Sequence, residues 1–117
     1  YDDPEGVTAE FNRNLLVRIN RELDANFDLA AFRHEARYFE DPPRIEMHLV
    51  CERPVSVQMA GESFELEAGE SLHTETSHKY SIAGFTALAA EADWVVSHQW
   101  HDAESRFAVL MMQSTPD

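Results

Sequence analysis

Cysteine, glycine and long apolar runs are all scarce in this chain of 117 residues, and each scarcity narrows what the protein can be. A single cysteine, Cys51, excludes an internal disulfide framework. It falls in the alternating apolar run Ile45, Met47, Leu49, Cys51, where a buried structural thiol in a reducing compartment is expected, so the cytoplasm is the expected location. The four glycines, at positions 6, 61, 69 and 84, never form a Gly-x-Gly turn between a strand and a helix, so the chain shows no evident seat for a nucleotide or adenosyl cofactor. Apolar runs extend over only a handful of residues, far below a membrane span, and the opening Tyr-Asp-Asp-Pro is unlike a secretory signal. Basic residues are scarce too: 9 against 22 acidic ones leave a formal charge of -13, which repels phosphate backbones and anionic membranes alike. Neither nucleic acid nor membrane is an expected partner.

What is present suffices for one domain or a piece of one, with 44% hydrophobic residues for a core. Residues 8 to 23 are predicted to form a helix, with Thr8 as its cap, Glu10 at its positive end, and Phe11, Leu15, Leu16, Ile19 and Leu23 on one buried stripe. Asn12, Arg13, Arg21 and Glu22 are assigned to the opposite, polar face. Asp28 is positioned to cap a short turn ending near Phe32.

From about residue 33 the period becomes two, which predicts strands. Val55, Val57 and Met59, a turn at Gly61, Phe64 and Leu66, and a turn at Ala68-Gly69-Glu70 suggest an antiparallel meander extending to about residue 79. Ser81 can cap a second helix carrying Phe85, Leu88, Ala89 and Ala92. Two strands, Trp94 to His101 and Arg106 to Met112, then form a terminal hairpin. The expected fold class is therefore α+β.

The stretch Glu70-Ser71-Leu72-His73-Thr74-Glu75-Thr76-Ser77-His78-Lys79-Tyr80 carries most of the chemistry. Regular alternation would put His73, Glu75 and Ser77 on one face and Leu72, Thr74 and Thr76 on the other. Glu75 and Ser77 would then stand roughly 7 Å apart, suited to an imidazole, an amide or a metal ion. A metal site from His73, Glu75 and His78, joined by His48 or His98, is one reading, and Gly69 ahead of His-x-Glu resembles a cupin strand. Strand alternation argues against it by separating His73 from His78. Cys51 has no base at strand spacing, and His98 and His101 flank Trp100 without an evident partner.

Tyr1-Asp2-Asp3-Pro4-Glu5-Gly6-Val7-Thr8-Ala9-Glu10-Phe11-Asn12-Arg13-Asn14-Leu15-Leu16, Arg18-Ile19-Asn20-Arg21-Glu22-Leu23, Arg44-Ile45-Glu46-Met47-His48-Leu49, His73 to Tyr80, Trp100-His101-Asp102 and Phe107 carry a resemblance covering essentially the whole chain. Together they resemble the C-terminal third of the histidine-specific methyltransferases that make trimethylhistidine (hercynine) for ergothioneine. The resemblance implies a class I methyltransferase that uses S-adenosylmethionine, bound by sequence upstream of Tyr1 and not by this chain. Residues 33-80 would be the substrate-binding β insertion, and residues 81-117 the last helix and final two strands of the methyltransferase sheet. It further implies that Glu75 and Ser77 grip the imidazole of L-histidine or a methylated histidine. Tyr1 would lie near the amino-acid end and Met47 would line the pocket. A piece cut from such an enzyme would expose apolar faces, notably around Phe11, Leu15 and Ile19, and self-association is expected of it. The alternative remains a non-catalytic, cupin-like module binding metal or a small molecule.

Overall fold

A computed structural model describes residues 1–115. The last two positions of the expected 81–117 segment lie outside the described residues. The chain forms two compact units, residues 1–78 and residues 79 onward. Among the described residues no helix is long and apolar enough to cross a membrane.

The first unit opens with helix α1 (Val7–Glu22). Thr8 lies inside the helix and not at its cap, which corrects the sequence expectation. The cap is Gly6, in the left-handed region at φ 75°, and the exposed N–H groups of Val7 and Thr8 instead donate to the Asp3 carboxylate at 3.0 and 2.9 Å. These bonds, the Thr8 backbone N–H foremost, hold the Asp3 carboxyl down to about 2.

The buried stripe of α1 also differs from the expected one. Leu16 is 1% exposed and Ile19 packs beside it, whereas Phe11 is 70% exposed and Asn12, assigned to the polar face, is buried. Positions 12, 16 and 19 share one side of a 3.6-residue helix, so the core stripe includes a carboxamide. The short turn falls where predicted, a 3-10 turn at Leu29–Ala31 whose first N–H groups are capped by Asp28. Phe32 follows it into the core.

Strands β1 (Phe32–Glu40), β2 (Pro43–Cys51) and β5 (Ser71–His78) form one antiparallel sheet in the order β1-β2-β5. β3 (Val55–Met59) and β4 (Glu62–Leu66) make a separate antiparallel hairpin. The sequence-order meander is thus interrupted: β2 skips its next two strands and pairs with β5. Cys51 closes the base of that excursion, its carbonyl accepting from Gly69 N–H at 2.7 Å and its own N–H donating to the Glu70 carbonyl at 2.8 Å. Ala60 and Gly61 both have positive φ at the hairpin tip, the backbone a two-residue primed turn demands. Leu16, Ala31, Phe32, Leu49 and Cys51 are the buried cluster, with Val55, Leu66 and Leu72 packed against it.

In the second unit, Ser81 caps α2 (Ile82–Glu91) as expected, accepting from Gly84 N–H at 2.9 Å. β6 (Trp94–His101) and β7 (Ala108–Ser114) pair antiparallel with a one-residue bulge at Ser97. Phe85, Leu88, Ala89, Ala92, Trp94 and Met112 line an apolar cleft between α2 and this hairpin. The architecture is α+β, with two helices and antiparallel strand pairs.

Candidate functional site

The register of β2 against β5 decides which side chains meet. Met47 pairs with Glu75, but His48 pairs with His73, so Thr74 is one residue more than β2 can match. This bulge overturns the alternation expected for the polar comb. Leu72 packs against the core, and Thr74 and Glu75 both line the groove beside α1. Ser77, paired with Ile45 two places from Met47, follows on the same side. His73 faces the other way and stacks on His48, ring centroids 4.7 Å apart.

The bulge therefore removes His73 from the company of Glu75 and Ser77 and leaves those two on the side that α1 covers. There, Tyr1, Thr8, Phe11, Met47 and Glu75 line one open pocket. An adjoining one is lined by Phe11, Asn12, Leu15, Arg18, Met47, Thr74 and Glu75, among others. The Tyr1 hydroxyl lies 3.0 Å from Ser77 Oγ. All four residues singled out by the resemblance, Tyr1, Met47, Glu75 and Ser77, thus meet in one region. An aromatic wall, a thioether, a carboxylate and hydroxyls can together enclose a flat polar ring and hydrogen-bond its edge.

Sequence reasoning missed Asn12, His34 and Thr74. Asn12 Nδ2 lies 2.9 Å from His34 Nδ1 and 3.2 Å from the His48 carbonyl, while Asn12 Oδ1 accepts from Thr74 Oγ at 2.6 Å. His34 Nε2 lies 2.7 Å from the Tyr1 carbonyl. The available signal was positional: a polar residue four and seven places before Leu16 and Ile19 marks a carboxamide that needs buried partners.

On the opposite face the structure assembles a different set from the one expected for a metal. Glu75 faces away, and Glu46, His48 and His73 come together, with ligand atoms within 4.8 Å of one another. His98 belongs to β6 in the second unit. His48 Nε2 lies 2.8 Å from Glu46 Oε1, and His73 Nε2 lies 3.1 Å from the Glu75 carbonyl and 3.7 Å from Glu46 Oε1. The carboxylate oxygen only accepts, so His48 Nε2 carries the proton, while the Thr76 hydroxyl 2.7 Å from His73 Nε2 suits either state of that nitrogen. His48 Nδ1 is buried with no hydrogen-bond partner among the described residues. Metal ligation through His48 Nε2 would move the proton to that nitrogen and bury an unpaired N–H, at a cost of about 1–3 kcal/mol. A ligating histidine ordinarily donates its other N–H to a partner. Arg44 also donates to Glu46 Oε2 at 2.9 Å, and together with His48 it holds the Glu46 carboxyl below its ordinary range. The cluster fits a hydrogen-bonded brace behind the bulge better than a metal centre.

The family described as histidine-specific, SAM-dependent methyltransferase matches residues 1–114. The chain is 43% identical over 113 residues to the histidine N-alpha-methyltransferase of Mycolicibacterium smegmatis, covering 95% of this chain and 35% of that protein. It is 41% identical to the histidine N-alpha-methyltransferase of Mycobacterium tuberculosis over the same shares. It is 28% identical to the N-methyltransferase imqF of Aspergillus flavus, over 97% of this chain and 31% of that protein. The chain spans about a third of the length of these curated relatives. By this match and these identities, the chain belongs to the histidine-specific, SAM-dependent methyltransferase family and corresponds to a C-terminal portion of its members.

Proposed function

We propose that this chain is the substrate-recognition part of a longer S-adenosylmethionine-dependent histidine N-alpha-methyltransferase that makes trimethylhistidine (hercynine) for ergothioneine. Glu75 accepts a charge-assisted hydrogen bond from an imidazole N–H of L-histidine or a methylated histidine, and Ser77 serves the other ring nitrogen. Met47 lines the ring's pocket, and Tyr1 stands toward the amino-acid end. One observation carries this reading. The bulge at Thr74 puts Glu75 on the α1 side with Met47, and the Tyr1–Ser77 contact lies on the same side.

Methyl transfer needs a neutral amine held in line with the methyl group, so binding energy gathered at the remote ring serves orientation at the reacting nitrogen. S-Adenosylmethionine, when bound by the parent enzyme, supplies that methyl group. In this proposal the cofactor is held outside this chain. Every strand pairing among the described residues is antiparallel, and Gly6, Gly61 and Gly69 lie at a helix start and two turns beside strands. Gly84, in the first turn of α2 after β5, stands alone with its N–H given to Ser81, so the cofactor is assigned to sequence outside this chain.

In this proposal residues 33-80 are the substrate-binding β insertion. Residues 81-117 contribute the last helix and final two strands of a class I methyltransferase sheet, and the chain by itself transfers no methyl group. Calorimetry of L-histidine with the full-length enzyme and its Glu75→Ala variant tests the clamp, and unchanged affinity would remove Glu75 from it. Turnover of histidine and S-adenosylmethionine by the chain alone would overturn the division of labour.

A further inference from the structure

We propose that Asn12 and His34 are positioning residues that close a ring of hydrogen bonds around the pocket, with His34 neutral and its proton on Nε2. The proposal deepens the histidine-binding reading above and rests on it for its substrate.

The orientation of the Asn12 carboxamide sets everything else. Its Nδ2 lies 3.2 Å from the His48 carbonyl, which only accepts, and its Oδ1 lies 2.6 Å from the Thr74 hydroxyl. Reversing the amide would set oxygen against the His48 oxygen in a site where Asn12 is 3% exposed and water cannot relieve the clash. Nδ2 therefore donates. His34 Nδ1, 2.9 Å from it, must accept and carries no proton. The proton of a neutral imidazole then sits on Nε2, which donates to the Tyr1 carbonyl at 2.7 Å. Asn12 spends both N–H bonds and its oxygen, so no part of it can turn without breaking a bond.

Tyr1 is thereby held at two points, its carbonyl by His34 and its hydroxyl beside Ser77 Oγ. The circuit runs from Tyr1 through His34 and Asn12 to Thr74, along the backbone past Glu75 to Ser77, and back to Tyr1. It ties α1, β1 and β5 around the groove in which Met47 and Glu75 stand. A donor on His34 Nδ1 would oppose the Asn12 donor and open the ring at its middle. Neither Asn12 nor His34 touches substrate in this scheme. They fix the separation between the group toward the amino-acid end and the ring clamp.

The test uses the full-length enzyme with L-histidine and S-adenosylmethionine. His34→Leu should raise KM for histidine about tenfold while leaving KM for the cofactor unchanged, the loss expected of roughly one to two hydrogen bonds. His34→Gln should recover most of that loss, because its amide offers an acceptor and a donor at nearly the spacing of the two imidazole nitrogens. Imidazole 15N shifts should show His34 as the Nε2–H tautomer at neutral pH. Equal KM values for the leucine and glutamine variants, or a His34 that is cationic or protonated on Nδ1, would overturn the proposal. Where His34→Leu fails to fold, Asn12→Asp tests the same link: its carboxylate should draw a proton to His34 Nδ1 and raise KM, and an unmoved tautomer would overturn it. A wild-type enzyme that does not turn over histidine would remove the substrate assignment, and the His34 tautomer alone would then decide the network.

Discussion

Tyr1 and Ser77 are 76 positions apart in the chain, yet the phenol oxygen of one lies 3.0 Å from the hydroxyl oxygen of the other. The contact fastens the segment ahead of α1 to the far end of β5. Any ligand nitrogen that bonds Ser77 must share or displace it. Tyr1→Phe should therefore change histidine affinity in the full-length enzyme by about three- to tenfold, the worth of one hydrogen bond between uncharged groups. Titration calorimetry measures it, and the loss should be smaller than that caused by Glu75→Ala.

Glu75→Gln separates charge from shape. Its amide oxygen still accepts from an imidazole N–H, but without the negative charge, and hydrogen bonds to ionised acceptors are roughly twice as strong. Histidine affinity should fall by about tenfold for Gln and by more for Ala, and equal losses would mean that the charge contributes nothing.

Asp3 predicts an acid-sensitive helix start. The N–H groups of Thr8 and Val7 pull its carboxyl from the ordinary 3.8 down to about 2, so it holds fewer protons in the folded than in the unfolded chain at intermediate pH. The stability it contributes is complete above the unfolded value and disappears as pH falls through the folded one. Between about pH 4 and pH 2 the wild type should lose more stability than Asp3→Asn, and circular-dichroism melts of the two proteins across that window provide the comparison.

Leu49 of β2 is fully buried in the core cluster with Leu16 of α1 and Phe32. Leu49→Ala should cost about 2–5 kcal/mol in urea unfolding, since a packed core closes only partly around the missing atoms.

The brace of Glu46, His48 and His73 leads to a negative expectation for zinc. Wild-type enzyme and His73→Ala should give the same heat on Zn²⁺ titration, because the site would have to bury the proton displaced from His48 Nε2. A tight equivalent lost only in the variant would restore the metal reading.

Local rules made much of this legible from sequence. Asp28 and Ser81 cap where their hydroxyl or carboxylate chemistry requires, Gly61 turns the β3–β4 hairpin, and Cys51 is buried. The misses have a common cause in tertiary structure. Thr8 was a good cap by type, but the helix starts before it at Val7, and Asp3 takes the N–H groups of Val7 and Thr8 from outside the helix. Asn12 was placed in water by polarity, although the sheet beneath it supplies every partner it needs. The faces of β5 could not be read from alternation, because a bulge is visible only when the partner strand is known. Glu75 and Ser77 kept their pairing because both lie beyond the extra residue, and His73 lost its place because it lies before it.

The bulge that absorbs this extra residue keeps one strand in step with two sets of partners. In a β5 of strict alternation, a Leu72 turned toward the core would send Glu75 and Ser77 to the other side, so packing and recognition would compete for the phase of the strand. Thr74 resets the phase between them. Shortening the strand by that one residue would leave both halves facing as they do now, whereas exchanging any neighbours across it would not. Leu72 thus stays in step with the core and Glu75 with the groove, and the unmatched residue between them is the one that bonds Asn12.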